Sequence, residues 1–350
     1  MAIDRVLSAD SAGRQEETLN AALRPRTLAE CVGQAHIKDK LSIAITAARQ
    51  RREPLDHILF YGPPGLGKTT LAHVVANEMG STLRVTSGPA LAKQGDVMGL
   101  LSNVATGDIL FIDEIHRLSA PVEEFIYPAM EDFKVDFTVD SGLHAKTINF
   151  PLKHFTLIGA TTRAGLLSAP LRGRFGMIYH VEFYSVEELT DVLARSARCM
   201  ELETTPQALR LMAARSRGTP RIANRLLKRV RDYAQVKGTG RLTEAIVEQS
   251  LAMERIDTLG LDDLDRAFLK ALIEVYDGGP AGIEALAATL GEERDTLEDV
   301  VEPYLLQVGF VRRTKRGREV TVAAMEHLGL APRERPDLPQ GTLFDPDPET

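Results

Sequence analysis

Residues in the first half of the chain include short, largely apolar clusters, separated by longer stretches that read as helical. The clusters lie at 57–61, 82–86, 108–112 and 155–160, each bounded by Gly, Pro or polar residues. Such runs suit strands covered on both faces, and the stretches between them suit helices. Residues 23–184 therefore predict a large α/β domain built on a parallel sheet. Segment 134–150 differs: it alternates, breaks at Ser141-Gly142 and alternates again, which predicts an inserted hairpin. Beyond 184 the strand clusters stop. Ser185 with Glu188 three residues later forms a capping box for a helix through Arg198. Thr205-Pro206 opens a second helix, and Gly218-Thr219-Pro220 a third that runs to about Lys237. Residues 185–255 thus predict a small helical domain. Helical periodicity at 264–276, 282–290 and 296–307 precedes strand-like 310–311 and 319–322, joined by a basic turn at 312–318. Three helices and a two-stranded wing describe a winged helix over 256–330. Residues 1–22 are polar and rich in small side chains and predict a loosely ordered arm. The proline-rich, acidic segment 331–350 predicts a disordered tail.

Composition narrows the class. A chain of 350 residues exceeds what one hydrophobic core usually serves, in keeping with several domains. Its 44% apolar and 26% charged content is ordinary for a soluble globular protein. No apolar run is long enough to span a bilayer and no signal peptide is evident, so the expectation is a cytoplasmic protein that does not engage membranes. The two cysteines, Cys31 and Cys199, are far apart and support neither a disulfide framework nor a zinc site. A net charge of −7 argues against a uniformly basic nucleic-acid coat while leaving room for local basic patches.

Candidate chemistry begins at residues 62–69, G-P-P-G-L-G-K-T, which fit the phosphate-loop pattern at every fixed position. A strand-like run precedes this loop and a helical stretch follows it. Backbone N–H groups at the helix start then meet a polyphosphate, with Lys68 reaching the β- and γ-phosphates and Thr69 holding Mg²⁺. The second signal is I-L-F-I-D-E at 109–114, a buried strand whose C-terminal end presents two carboxylates. Asp113 suits the Mg²⁺ shell, and Glu114 suits orientation of an attacking water. His116 has no partner histidine in sequence and reads as a supporting or surface residue. Together these motifs predict a nucleotide-hydrolysing machine.

A wider set of motifs names a family. Leu23-Arg24-Pro25, G-P-P-G-L-G-K-T-T-L-A, I-L-F-I-D-E-I-H-R-L, Y-P-A-M-E-D-F, F-T-L-I-G-A-T-T-R and G-T-P-R-I-A-N-R-L-L-K-R-V-R-D resemble the RuvB family. These are AAA+ motors of bacterial Holliday-junction branch migration, and the likeness runs from about Leu23 to Leu330. It implies an AAA+ domain, a helical lid and a winged-helix head, arranged as a homohexameric ATP-driven DNA translocase acting with RuvA and RuvC. It implies ATP bound by Gly65, Gly67, Lys68, Thr69 and Thr70, with Leu23, Arg24 and Tyr184 at the adenine and Glu131, Asp132 and Phe133 as a further nucleotide-contacting run. Thr161 or Thr162 would be sensor 1, with Thr162 favoured. Arg174 would be the arginine finger of a neighbouring subunit, with Arg172 as the competing choice, and Arg221 would be sensor 2. Gly173 stands where the family usually has Asp, which implies a more flexible finger loop. The hairpin, with Leu143, Ala145 and Ile148 on its apolar tip side, would dock RuvA.

Arg312, Arg313, Lys315, Arg316 and Arg318 crowd around Gly317 and suit contacts to DNA backbone phosphates without base readout. The resemblance singles out Arg294, Arg313 and Arg318 as the contacts to duplex and junction DNA. In the tail, residues 340–344, Q-G-T-L-F, resemble short peptides that bind the bacterial sliding clamp. Rival classes leave weaker traces. Leu171 to Phe175 reads L-R-G-R-F and lacks the Ser-Arg-Cys finger of clamp loaders, and the candidate pore loop at 90–100 lacks the aromatic of protein unfoldases. Intact Lys68, Asp113 and Glu114 argue against a non-enzymatic scaffold.

Overall fold

A computed structural model describes residues 23–139 and 146–331. The arm at 1–22, the Ser141-Gly142 turn, Leu143, Ala145 and the clamp-type motif at 340–344 lie outside the described residues. The chain divides into two compact units, the first ending at Asp262 and the second beginning at Asp263.

In the first unit the strands are β1 (Ile58–Tyr61), β2 (Leu83–Ser87), β3 (Ile109–Asp113), the hairpin β4 (Lys134–Val139) and β5 (Lys146–Pro151), β6 (Thr156–Thr161) and β7 (Met177–His180). Five of them form one sheet in the order β2-β3-β6-β1-β7, parallel throughout. The four apolar clusters all become strands, each beginning one residue later than the sequence pattern suggests. The sequence pattern misses β7. Its M-I-Y-H is a short apolar triplet ending in a histidine, and it forms as an edge strand by pairing with β1 from Ile58↔Met177 to Tyr61↔His180.

Alternation along the buried strands splits the core in two. Ile58, Phe60, Phe111 and Ile158 pack with α1 (Ala35–Arg51) and α2 (Lys68–Met79). Leu59, Leu110, Ile112 and Leu157 pack on the other side with α3 (Gln94–Leu101) and α4 (Ala120–Glu131). The short helix α5 (Ala169–Gly173) precedes β7. Four further helices follow: α6 (Val186–Cys199), α7 (Pro206–Ala214), α8 (Pro220–Lys237) and α9 (Glu244–Met253). They enclose a separate core around Leu193, Met212, Leu226 and Val247. The Ser185–Glu188 capping box forms in both directions, and Thr205 caps α7 through the Ala208 N–H.

The second unit holds α10 (Asp263–Lys270), which runs on into a π segment, Ala271–Val275, then α11 (Ile283–Leu290) and the single turn α12 (Arg294–Thr296). A second π segment, Leu297–Val301, leads into α13 (Glu302–Gln307). The wing is β8 (Val311–Thr314) and β9 (Gly317–Val320), and α14 (Val322–His327) follows. The basic turn expected at 312–318 is tighter than the sequence suggests: Arg312, Arg313 and Arg318 lie on the strands, leaving Lys315 and Arg316 between them. Val322, expected on the strand, begins α14. Gly317 explains the tightness. Its φ is 142°, and a β-carbon there would sit 2.4 Å from the Ala281 carbonyl oxygen. Ala281 and Arg318 exchange backbone hydrogen bonds of 3.0 and 2.8 Å, so the wing is pinned at this point rather than hinged.

One buried histidine ties the first unit together. His57 donates from Nε2 to the Met130 carbonyl at 3.0 Å and accepts the Leu157 N–H at Nδ1 at 2.9 Å. It thereby links the entry to β1, the end of α4 and the start of β6, with Phe133 and Phe155 against its ring. Burial holds its pKa below the ordinary 6.5, against the opposing pull of the Met130 carbonyl and Asp56. The neutral form is favoured in the folded chain, so its stabilisation is complete above about pH 6.5 and is lost as the pH falls through the depressed folded value. Urea unfolding followed from pH 7.5 to 5 is expected to show falling stability. A His57→Leu variant should be weaker by roughly 1–3 kcal/mol at pH 7.5, because the Leu157 N–H loses its partner. Its pH slope should also be shallower than wild type, and an unchanged slope would exclude His57 as the titrating group.

Candidate functional site

Because β3, β6 and β1 are neighbours and parallel, their C-terminal ends open onto one edge of the sheet. A cavity of about 410 Å³ lies there. The loop after β1 forms its floor. Gly62 adopts φ 142° with its α-carbon so close to Val181 that a β-carbon would meet the carbonyl oxygen at 2.3 Å, so only glycine fits. The N-terminus of α2 has no side-chain cap and no acidic residue in its first turn, which leaves its N–H groups and dipole available to an anion. Lys68 is buried, and its Nζ donates to the carbonyls of Gly62 and Pro63 at 2.7 Å each. Burial depresses its pKa to about 8, opposed by Asp113 and reinforced by Arg221. A phosphate in the cavity would restore a full counter-charge to this amine. Gly65, Gly67, Thr69 and Thr70 also line the cavity.

The carboxylates come from the end of β3. Asp113 accepts the Thr69 hydroxyl at 3.3 Å through Oδ2 and the Glu114 N–H at 3.0 Å through Oδ1. Glu114 holds a left-handed backbone with φ 48°, and its carboxylate meets Arg117 at 3.0 Å. Both acids line the cavity. The structure separates the two threonines at the end of β6. Thr162 lines the cavity, whereas Thr161 is buried beneath it. Thr161 Oγ1 lies 2.9 Å from His116 Nδ1 and accepts the Arg163 N–H at 3.0 Å. His116, an isolated residue in sequence, therefore ties the loop after β3 to the end of β6.

The far end of the cavity is closed by the N-terminal segment and the helical domain. Leu23, Arg24, Tyr184 and Arg221 all line it. Arg24 is partly buried, which lowers its pKa, and its Nε has no hydrogen-bond partner among the described residues. Tyr184 bridges the domains: its hydroxyl donates to the Leu66 carbonyl at 3.4 Å and its N–H to the Gly218 carbonyl at 2.9 Å. The Arg221 N–H reaches the Gly65 carbonyl at 3.4 Å, joining the start of α8 to the phosphate loop. Sequence reasoning missed Arg195 on α6, which donates to the Leu23 carbonyl at 2.7 Å and lines the same cavity. An arginine in the middle of an amphipathic helix carries no sign of such a partner.

Arg174, Glu131, Asp132 and Phe133 are not among the residues lining the cavity. Arg174 sits 4.0 Å over the Tyr127 ring, pairs with Glu131 at 3.1 Å and donates to the Pro170 carbonyl at 2.8 Å. Asp132 pairs with Lys134 at 3.0 Å, and the Phe133 ring packs on His154 and Phe155. Arg172 is exposed on α5. Gly173 closes that helix with open space around its β-carbon position, so the helical turn rather than the glycine sets the local geometry.

In the second unit the arginines of interest are already engaged. Arg313 and Arg318 both hydrogen-bond the carboxylate of Glu302, while Arg294 meets Glu298 and Glu284. Arg312 pairs with Glu319 at 3.8 Å, and Lys315 and Arg316 are exposed. Neither Glu298 nor Glu302 stands out in sequence, since acids on an exposed-looking helix ordinarily face water.

The two threonines should respond differently to the same change. Thr162→Val is expected to lower nucleotide hydrolysis on the order of 10-fold or more with little change in stability. Thr161→Val is expected to cost roughly 1–3 kcal/mol of stability, since the hydrogen bonds of its hydroxyl to His116 and the Arg163 N–H are lost. Steady-state hydrolysis and urea unfolding of both variants check this, and equal destabilisation by both would refute the division of roles.

Comparison with known proteins matches the same three parts. Residues 23–181 match the Holliday junction DNA helicase RuvB P-loop domain, residues 184–257 the RuvB AAA lid domain, and residues 258–329 the RuvB C-terminal winged helix domain. The chain is 55% identical over 327 residues to the Holliday junction branch migration complex subunit RuvB of Lactiplantibacillus plantarum, covering 93% of this chain and 97% of that protein. Among solved structures, the Thermotoga maritima RuvB Holliday junction branch migration motor is similar at 51% identity and a TM-score of 0.81, over 89% of this chain and 100% of that one. A lysine-to-arginine mutant of the same Thermotoga maritima protein is similar at 51% identity and a TM-score of 0.83, over 89% of this chain and 99% of that one. With its phosphate loop, paired carboxylates, helical lid and winged helix all in place, the chain belongs to the RuvB family.

Proposed function

We propose that this chain is the ATP-hydrolysing motor of Holliday-junction branch migration, working in the cytoplasm as a ring of six copies with RuvA and RuvC in recombination and DNA repair. The observation that carries the reading is the cavity itself. It gathers Lys68, Asp113, Glu114 and Thr162 on one sheet edge and Arg221 at the start of the lid. In this reading the α2 N-terminus and Lys68 hold the β- and γ-phosphates of ATP, and Leu23, Arg24 and Tyr184 enclose the adenine. Glu114 leaves Arg117 to orient the attacking water, while Thr162 holds the water or the γ-phosphate. Thr69 and Asp113 offer a hydroxyl and a carboxylate 3.3 Å apart, a hard oxygen pair that fits Mg²⁺. When bound, the ion would neutralise charge on the β- and γ-phosphate oxygens.

Arg174 supports a shared site. Its guanidinium lies away from the cavity of its own chain, stacked on Tyr127 and beside Glu131, where a neighbour's γ-phosphate could meet it. Glu131, Asp132 and Phe133 would accompany it at the same interface. The hairpin offers Ile148 and Phe150, both exposed, to RuvA. Arg294, Arg313 and Arg318 would meet the DNA backbone as hydrolysis drives the duplex through the ring. The domain limits in this reading are 23–184, 185–255 and 256–330.

The deciding experiment is ATP-dependent dissociation of a synthetic four-way junction with and without RuvA, using Lys68→Ala as control. Wild type is expected to dissociate the junction, and parity with the control would refute the motor. The shared site adds a second expectation. Arg174→Ala and Lys68→Ala should each be nearly inactive in ATP hydrolysis, and mixing them should recover part of the activity, because some interfaces then pair an intact loop with an intact finger. Full wild-type hydrolysis at concentrations where the chain is monomeric would refute the finger in trans.

A further inference from the structure

The wing presents an electrostatic problem. Arg313 and Arg318 are direct cross-strand partners on the β8–β9 hairpin, an arrangement in which like charges repel. Between them stands Glu302, the first residue of α13, with its side chain 0% exposed. Its two carboxylate oxygens accept both arginines at once. Arg313 donates from Nε at 3.0 Å and Nη2 at 2.5 Å, and Arg318 from Nε at 2.8 Å and Nη2 at 3.1 Å. Glu298, one turn earlier in the π segment, takes Arg318 Nη2 at 3.2 Å and Arg294 Nε at 3.3 Å. Two acids four residues apart therefore hold all three arginines of the proposed DNA face. The grip is graded. Arg318 is 12% exposed and acts as the inner brace, while Arg313 is 55% exposed and keeps its outer edge toward solvent. Burial would push the Glu302 carboxyl up, but hydrogen bonds from Arg313 and Arg318 outweigh it and keep the group ionised.

We propose that Glu302, assisted by Glu298, is a positioning residue for DNA binding: it fixes the spacing and orientation in which Arg313 and Arg318 are offered to backbone phosphates. The proposal rests on the reading that these arginines contact DNA. A planar guanidinium binds phosphate well only in a defined orientation, and an arginine anchored at one edge loses less freedom when the phosphate arrives. Glu302 thus reduces the positive charge of the wing yet improves its use.

That opposition gives the test its sign. Glu302→Gln keeps the size of the side chain but removes one negative charge. If wing charge alone governed binding, the variant would bind DNA more tightly. Positioning predicts the reverse: affinity on the order of 10-fold weaker, about one charge-assisted contact. It also predicts a plot of log affinity against log salt that is shallower by about one phosphate contact. The measurement uses the full chain and a short duplex oligonucleotide of mixed sequence, by fluorescence anisotropy across a salt series, with melting curves to establish folding. Loss of folded protein alone would leave the salt slope at its wild-type value, and that result would overturn the proposal. Equal or tighter binding by a folded Glu302→Gln would overturn it too. Should Glu302→Gln fail to fold, Glu298→Gln is read instead. It leaves the main clamp in place and is expected to bind roughly 3-fold more weakly with a shallower slope, and unchanged or tighter binding overturns the proposal. Arg313→Ala separates the two levels. Wild-type binding by Arg313→Ala refutes the DNA-contact reading and the proposal with it. Weakened binding by Arg313→Ala beside unimpaired Glu302→Gln refutes the positioning role alone.

Discussion

Parallel pairing of β3, β6 and β1 is the constraint on which the rest of the first unit depends. The register Tyr61↔Thr161 and Ile112↔Gly159 brings the three strands to an end on one level. The phosphate loop, the Asp113–Glu114 pair and Thr162 then face the same space without any of them being close in sequence. A slip of one residue along β6 would exchange Thr161 and Thr162, because strand side chains alternate between faces. The register is protected by burial on both sides of the sheet, where a slip would invert every apolar side chain of β6.

Polar groups inside this unit act mainly as ties between elements. His57 bridges β1, α4 and β6, the Thr161–His116 pair joins the end of β6 to the segment after β3, and Gln34 meets both the N–H and the carbonyl of Glu182 through its amide. Each satisfies backbone groups that burial would otherwise leave unpaired. Lys68 is the exception in kind. Its amine rests on two carbonyls of its own loop, neutral partners that compensate a buried charge only in part. The same burial that depresses its pKa makes an arriving phosphate a stronger partner. The loop is therefore folded around a charge that its carbonyls and Asp113 compensate only in part.

The winged helix solves the opposite problem. There the charges are neutralised in advance: Glu302 and Glu298 hold Arg313, Arg318 and Arg294, and Glu319 holds Arg312. A basic run in sequence suggests a loose cationic surface. In the structure it is an ordered lattice of ion pairs with Lys315 and Arg316 exposed on the turn, and with Gly317 locked against Ala281. In a chain of net charge −7, the positive charge of the wing is thus held in fixed pairs rather than left as a loose cationic patch.

The residue pattern alone determined the parallel α/β core, the capping box at Ser185, the helical lid, the winged helix and the candidate residues Lys68 and Asp113, which line one cavity. Those features rest on local physics: strand burial, helix caps and the backbone geometry of a Gly-rich turn act over a few residues and so leave local traces. What stayed hidden depends on partners distant in sequence. The edge strand β7 forms only because β1 is beside it, and Thr161, unlike Thr162, pairs with His116, 45 residues away. Arg195 matters through Leu23, 172 residues away, and Glu302 is an ordinary helical acid until the wing folds two arginines over it. Tertiary structure decided these roles because a hydrogen bond or ion pair is a property of two positions in space, and a single sequence records each position without its partner.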